Sequence, residues 1–299
     1  MDLSAAEPPT SYRDTWVVLP TYNEAENLRG IAAAILAQLP GATLLVVDDA
    51  SPDGTGDLAD ALAAADPRVR VLHRSSKQGL GRAYIDGFRA ALAGGADRIV
   101  QMDADWSHDP ACLPALLDPL QRGADLVIGS RYVRGGGVTD WGLARRVVSR
   151  GGSTFARLVL GLPVHDLTGG FKAWRRETLG AIPWDGVHAG GYVFQIEMTY
   201  LARRVGARVV EIPIIFRDRR VGVSKMSRRI VLEALLVVLT LRWEALRGDR
   251  GAAAPDVPAR PSVATTGRHA RTADPDTAVA TDRNATPAAQ RPGAEERPS

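Results

Sequence analysis

The sequence predicts an α/β protein with a mostly parallel sheet covered on both faces. Three observations carry this. Short runs rich in Val, Ile and Leu recur at residues 16–20, 43–47, 69–72, 99–102 and 126–129. The stretches between them have helical spacing, as in Leu28, Ile31, Ile35 and Leu39. Polar residues follow directly on three of the apolar runs, at 20–24, 48–53 and 103–105. Continuous apolar strands alternating with helices mean a parallel sheet buried on both sides. Such sheets bind ligands at the carboxyl ends of their strands.

Taken in order, residues 1–15 read as a flexible leader. Trp16-Val17-Val18-Leu19-Pro20 is a buried strand stopped by proline. Residues 21–24 form a loop and 26–39 a helix that Gly41 ends. The strand at 43–47 runs into Asp48-Asp49, then a turn at 51–55 and a helix at 58–65. A third strand at 69–72 and a helix at 79–93 precede the strand that begins at Ile99. That strand ends in Asp103-Ala104-Asp105. Alone, Asp-x-Asp is a weak signal, since a solvated turn or helix N-cap has the same pattern. At a strand end, beside two other polar loops, it suits a divalent cation held against a diphosphate, because hard cations prefer oxygen ligands.

The second half changes character. Residues 126–131 form a strand ending in Arg131, and Gly135-Gly136-Gly137 a connector. Residues 143–162 carry Arg145, Arg146, Arg150 and Arg157 with no acid, among Val147, Val148, Phe155 and Leu158. This is a basic amphipathic stretch, weakened as one helix by Gly151-Gly152. It suits a membrane interface or a core-packing helix with a solvated basic face. Residues 166–172 read as a glycine-bearing loop, 196–205 as a helix and 207–215 as a strand. A basic loop at 216–225 and a last helix at 230–246 follow. From residue 248 the chain is rich in Ala, Pro, Thr, Asp and Arg. It cannot bury enough surface to order itself, so 247–299 is expected to be a disordered tail.

Composition narrows the function classes. The chain has 299 residues, 45% hydrophobic and 24% charged, enough for one large domain or two small ones. The single cysteine, Cys112, excludes an intrachain disulfide and a cysteine zinc cluster. A net charge of +3 does not imply nucleic acid. No secretory signal pattern opens the chain. No apolar run reaches the roughly 20 residues that span a bilayer.

The polar pieces fit a nucleotide-sugar donor. Asp49 and Asp103 could accept hydrogen bonds from base or ribose, and Asp105 could hold a cation. Arg219 and Lys225 could neutralise the diphosphate, the first as a fork and the second as a point charge. Cation and basic groups together would stabilise the charge that develops as the sugar leaves.

The motifs Leu19-Pro20-Thr21-Tyr22-Asn23-Glu24-Ala25-Glu26-Asn27-Leu28, Val46-Val47-Asp48-Asp49-Ala50-Ser51-Pro52-Asp53-Gly54-Thr55, Met102-Asp103-Ala104-Asp105-Trp106-Ser107-His108 and Gly129-Ser130-Arg131-Tyr132 resemble glycosyltransferase family 2. The similarity extends to the dolichol- or polyprenol-phosphate mannose synthases through residues 166–171, 191–197 and 216–225. It covers about residues 16–245. The resemblance implies a GT-A (Rossmann-like) domain over residues 16–246, with C-terminal amphipathic interface helices. It implies a GDP-mannose donor, Mg²⁺ or Mn²⁺, a polyprenyl monophosphate acceptor and an inverting transfer to a β-linked product.

By position, Pro20, Tyr22, Glu24, Val47 and Asp49 would cradle the nucleotide. Asp103, Ala104 and Asp105 would sit at ribose, diphosphate and metal, with Asp105 the main metal ligand and Asp103 beside it. Arg131 would face mannose or acceptor, and Arg219 and Lys225 the phosphates. Ser107 stands where some members carry Gln as a further ligand. The acceptor oxygen is already anionic, so His108, Asp109 and His165 are expected to be loop or capping residues rather than bases. The stretches 143–162 and 230–246 would dock the enzyme peripherally on the inner face of the cell membrane. A separate membrane anchor protein is a further partner left open; no nucleic acid is expected.

Three other readings remain. A sibling enzyme could use UDP-glucose on the same acceptor. A nucleotidyltransferase would show a Gly-rich loop after the first strand, where this chain has Pro20-Thr21-Tyr22-Asn23. A membrane-docked binding protein without catalysis would not need the full set of donor contacts.

Overall fold

The structure, a computed structural model, describes residues 12–184, 187, 190–217 and 228–247. Arg219 and Lys225, with most of the expected basic loop, lie outside the described residues, as do residues 1–11 and the tail from residue 248. The described residues belong to one compact unit within Met1–Val257.

The chain begins with β1 (Thr15–Thr21), α1 (Ala25–Gln38), β2 (Thr43–Asp48), α2 (Thr55–Ala65) and β3 (Val69–His73). Next come α3 (Leu80–Ala93), β4 (Arg98–Gln101), α4 (Leu113–Gln121), β5 (Leu126–Ser130), β6 (Gly137–Val138) and α5 (Leu143–Leu160). The rest is β7 (Lys172–Arg175), α6 (Arg176–Ala181), α7 (Gly191–Arg204), β8 (Val209–Pro213), β9 (Ile215–Phe216) and α8 (Arg228–Arg247).

Seven strands form one sheet in the order β3-β2-β1-β4-β7-β5-β8. All run the same way except β7, which is antiparallel to both β4 and β5. Alternate side chains go to opposite faces, as strand geometry requires. Val18, Leu45, Val47, Ile99 and Ile128 join one buried cluster with α3, α5 and α7. Val17, Leu19, Leu44, Val46 and Val100 join another with α1 and α4. The sheet is therefore covered on both sides. Helix α3 lies close on β1 and β2. A Cβ on Gly87 would fall 2.4 Å from Val18 Cγ1, so only glycine fits there unstrained.

Strand β1 does not stop at Pro20 but continues to Thr21, and Pro20 pairs in register with Val47. The reason lies in parity. Val18 O accepts the Met102 N–H on the β4 side. Pro20, two residues on, faces the same side, and β4 has already ended at Gln101. Its missing N–H therefore costs the ladder nothing. Helix α5 is continuous through Gly151-Gly152, contrary to expectation. It packs on α8, and packing outweighs the propensity penalty of two glycines. The stretch at 166–172 ends not in a loop but in β7.

Helices α5 and α8 leave apolar surface uncovered. On α5, Ser149, Ser153, Ala156 and Leu160 face inward. Leu143 is 77% and Leu158 73% exposed, among exposed Arg146, Arg150 and Arg157. On α8, Leu236, Leu239, Trp243 and Leu246 are exposed. Among the described residues no helix is long and apolar enough to cross a membrane.

Candidate active site

The strand order reverses beside β1: the chain winds outward to β3, then α3 returns it to β4 on the other side. At such a switch point the carboxyl-end loops part and leave a crevice. Here the loops at 22–24 and 49–54 and the turn at 103–108 follow β1, β2 and β4, three neighbouring strands of the sheet.

The first two loops are stitched together. Asn23 N–H donates to Ser51 Oγ (3.1 Å), Glu24 N–H to Thr55 Oγ1 (2.9 Å) and Ala25 N–H to Asp53 Oδ2 (3.2 Å). Asp53 and Thr55 thus serve the opening of α1, a helix with no side-chain cap of its own. Asp48 holds the second loop from below, accepting from Thr21 Oγ1, Ser51 N–H and Ser51 Oγ. Asn23 (φ 59°), Ala50 (φ 56°) and Trp106 (φ 63°) are left-handed though none is glycine. One sits in each of the three loops, and strained backbone of this kind gathers at functional sites.

Of the expected nucleotide contacts, Tyr22 and Glu24 are half-buried at the crevice. Lys77 Nζ lies 3.4 Å from the centroid of the Tyr22 ring. Asp49 is buried and engaged: it pairs with Arg74 and accepts from the Gln78 and Gly79 amides at 3.3–3.4 Å. Pro20 and Val47 are strand residues, and the Val47 side chain is wholly in the core. Ala104 likewise packs its methyl inward.

At the turn, Asp103 is half-buried and Asp105 buried. Asp103 Oδ1 accepts from the Tyr84 hydroxyl at 2.6 Å, and Asp105 Oδ1 from Ser107 N–H at 3.1 Å. Ser107 Oγ is buried with no hydrogen-bond partner among the described residues. His108, set aside by sequence reasoning, is buried with Nδ1 accepting the Asp103 N–H at 3.1 Å. Burial pushes its pKa down, against the pull of Asp103 and Asp105, so the ring is neutral. Its plane stacks on Phe171 and meets Phe216 edge-on.

Arg131 leaves β5 and turns into the protein. Its Nε and Nη2 meet Asp166 and Nη2 also reaches Thr168 Oγ1, all at 2.7 Å. The rings of Tyr132, Trp141 and Phe216 stand 5.1–5.5 Å from the guanidinium. Arg131, expected on the mannose or acceptor side, has its guanidinium held by Asp166. Burial alone would raise the Asp166 pKa. The Arg131 charge and hydrogen bonds outweigh that and hold it below the usual carboxylate range. His165 and Asp109 keep to the surface, on Glu211 and the Ala111 amide.

The residues that sequence reasoning missed are buried partners: Tyr84, Asp166, Lys172 and Gln195. Asp166 and Gln195 lay in stretches that carry the family resemblance, 166–171 and 191–197, but no role was read for either.

A mostly parallel sheet with an Asp-x-Asp turn at its switch point has the layout of the GT-A fold. Residues 16–182 match the family model described as glycosyl transferase family 2. An undecaprenyl-phosphate mannosyltransferase of Micrococcus luteus is 50% identical over 238 residues, 78% of this chain and 98% of that protein. A polyprenol monophosphomannose synthase of Mycolicibacterium smegmatis is 50% identical over 238 residues, covering 78% of this chain and 90% of that protein. Among solved structures, glucosyl-3-phosphoglycerate synthase of Mycobacterium tuberculosis with Mn²⁺ and UDP-glucose superposes with a TM-score of 0.58 at 24% identity, covering 76% of this chain and 78% of that one. The chain belongs to glycosyl transferase family 2.

Proposed function

We propose that the protein transfers mannose from GDP-mannose to a polyprenyl monophosphate, with inversion, giving a polyprenyl β-mannosyl phosphate. The supporting observation is the 50% identity, over 238 residues in each case, to an undecaprenyl-phosphate mannosyltransferase and a polyprenol monophosphomannose synthase.

The loops at 22–24 and 49–54 would hold the guanosine. Asp103 and Asp105 would hold Mg²⁺ or Mn²⁺. The fit rests on the donor set: two carboxylates and an unpartnered buried Ser107 hydroxyl, all hard oxygens. Among the described residues there is no group of three or more His, Cys, Asp or Glu that could hold a metal. That suits a cation completed by substrate phosphates, as Mg²⁺ commonly is. Bound there, the cation would neutralise charge on the leaving diphosphate. Arg219 and Lys225 would add positive charge on the phosphate side.

An oxygen of the acceptor phosphate forms the new bond to the anomeric carbon as the bond to GDP breaks. The bonding pair leaves with the diphosphate. The nucleophile is already anionic, so no proton has to move and no general base is required. Attack from the face opposite the leaving group inverts the centre. Arg131, fixed by Asp166, would shape the acceptor side.

The exposed faces of α5 and α8 would rest on the inner leaflet of the cell membrane. Leucines and Trp243 would enter the interface while Arg146, Arg150 and Arg157 meet anionic headgroups. Donor competition tests the nucleotide: GDP should inhibit transfer from GDP-mannose far better than UDP. Equal inhibition, or transfer from UDP-glucose instead, would replace this donor assignment.

A further inference from the structure

Asp103 is gripped at both ends by buried aromatic groups. Tyr84 projects from α3 with no exposed surface and donates its hydroxyl to Asp103 Oδ1. At 2.6 Å this lies in the range of a charge-assisted O–H···O⁻ bond. The ring cannot swing away. It stacks on Phe194 with centroids 5.9 Å apart and planes 1° apart, and on Phe88 at 5.7 Å. On the main-chain side, His108 Nδ1 takes the Asp103 amide. Its ring is fixed between Phe171, stacked at 5.0 Å, and Phe216, edge-on at 5.5 Å.

We infer that Tyr84 and His108 are positioning residues that preset Asp103, Tyr84 aiming its carboxylate and His108 fixing its backbone. This rests on the reading that Asp103 faces the donor nucleotide and its cation. Both groups are suited to the task by being neutral. The phenol is a neutral donor, and its hydroxyl is aimed at Asp103 Oδ1. A neutral His108 that accepts at Nδ1 carries its proton on Nε2. Neither side chain puts a charge beside the carboxylates, so neither competes with a cation for Asp103. Partners of this kind, one step removed from a metal, commonly set ligand orientation.

A merely structural role for Tyr84 predicts something different. Tyr84→Phe keeps both ring stacks and removes only the hydroxyl. Asp103 is half-buried, so its freed oxygen can turn to water rather than remain a buried orphan. The fold should survive, while the carboxylate loses its preset direction.

Calorimetric titration of the full chain with GDP in the presence of Mn²⁺ reads this directly. The series is wild type, Tyr84→Phe, Asp103→Ala and the double variant, with a thermal melt of each. Tyr84→Phe should bind about tenfold more weakly with an unchanged melt. Asp103→Ala should bind more weakly still, and the double variant no worse than Asp103→Ala, because Tyr84 acts through Asp103. Wild-type binding by Tyr84→Phe, or the same tenfold loss repeated in the Asp103→Ala background, overturns the assignment of Tyr84. Undiminished binding by Asp103→Ala would instead overturn the donor-site reading itself. His108 gives a second arm that does not need Tyr84. His108→Phe keeps the stack but leaves the amide without an acceptor, whereas His108→Asn offers an oxygen near Nδ1. The Asn variant should bind GDP with Mn²⁺ more tightly than the Phe variant, and the reverse order would overturn the assignment of His108.

Discussion

Arg131 and Asp166 form a two-pronged ion pair sealed from solvent, Nε to Oδ2 and Nη2 to Oδ1, each at 2.7 Å. The Arg131 backbone N–H closes a third bond to the same carboxylate at 2.9 Å. Breaking one side of such a pair leaves an uncompensated buried charge, which costs about 3–5 kcal/mol. Asp166→Asn should therefore lower unfolding stability by that order in urea titration and abolish transfer. A variant that unfolds at the wild-type midpoint would show that the pair does not carry this stability.

Lys172 has no exposed surface and donates to Gln195 O at 2.8 Å and Thr199 Oγ1 at 2.9 Å. Burial lowers its pKa to about 7, with Asp166 pulling the other way. The unfolded chain keeps an ordinary lysine, near 10.5. Between these values the unfolded state binds more protons, so stability should rise with pH from about 7 toward 10. Below about 7 the native state must hold a buried ammonium, and that stabilisation is absent. Melting temperatures of wild type and Lys172→Met across this window check it. The wild type should rise relative to the variant; parallel curves would exclude a depressed Lys172.

The two uncovered helix faces predict a separable function. Leu158→Glu with Trp243→Glu should abolish flotation with vesicles containing anionic lipid. Neither residue lies at the switch point, so transfer to a short, water-soluble polyprenyl phosphate should persist. Flotation unchanged by the pair of substitutions would remove these faces from the membrane contact.

Much of this arrangement was legible in the chain. The parallel strands are apolar runs with polar residues directly after them, so Asp48-Asp49 and Asp103-Ala104-Asp105 marked the sheet edge at which the polar loops gather. Strand β7 was not legible. Its Lys172 is buried through hydrogen bonds to α7, and its neighbour Gln101 is buried through bonds to Gln195 and Trp174. A strand whose polar side chains are satisfied by distant elements has no apolar signature. Helix α4 was masked by Pro119 inside it. Tyr84 and His108 were hidden for the same reason as β7: their role is a contact across the fold, and neither spacing nor composition carries it.

The most direct test is mannose transfer from GDP-mannose to a short polyprenyl phosphate by the wild type and by Asp105→Ala, each with Mg²⁺ or Mn²⁺ and with EDTA. The account predicts a polyprenyl mannosyl phosphate from the wild type, lost on chelation and restored by added cation. It predicts no product from a folded Asp105→Ala protein. Wild-type transfer undiminished by EDTA, or full activity in Asp105→Ala, would contradict a cation-assisted transfer centred on the Asp103-Ala104-Asp105 turn.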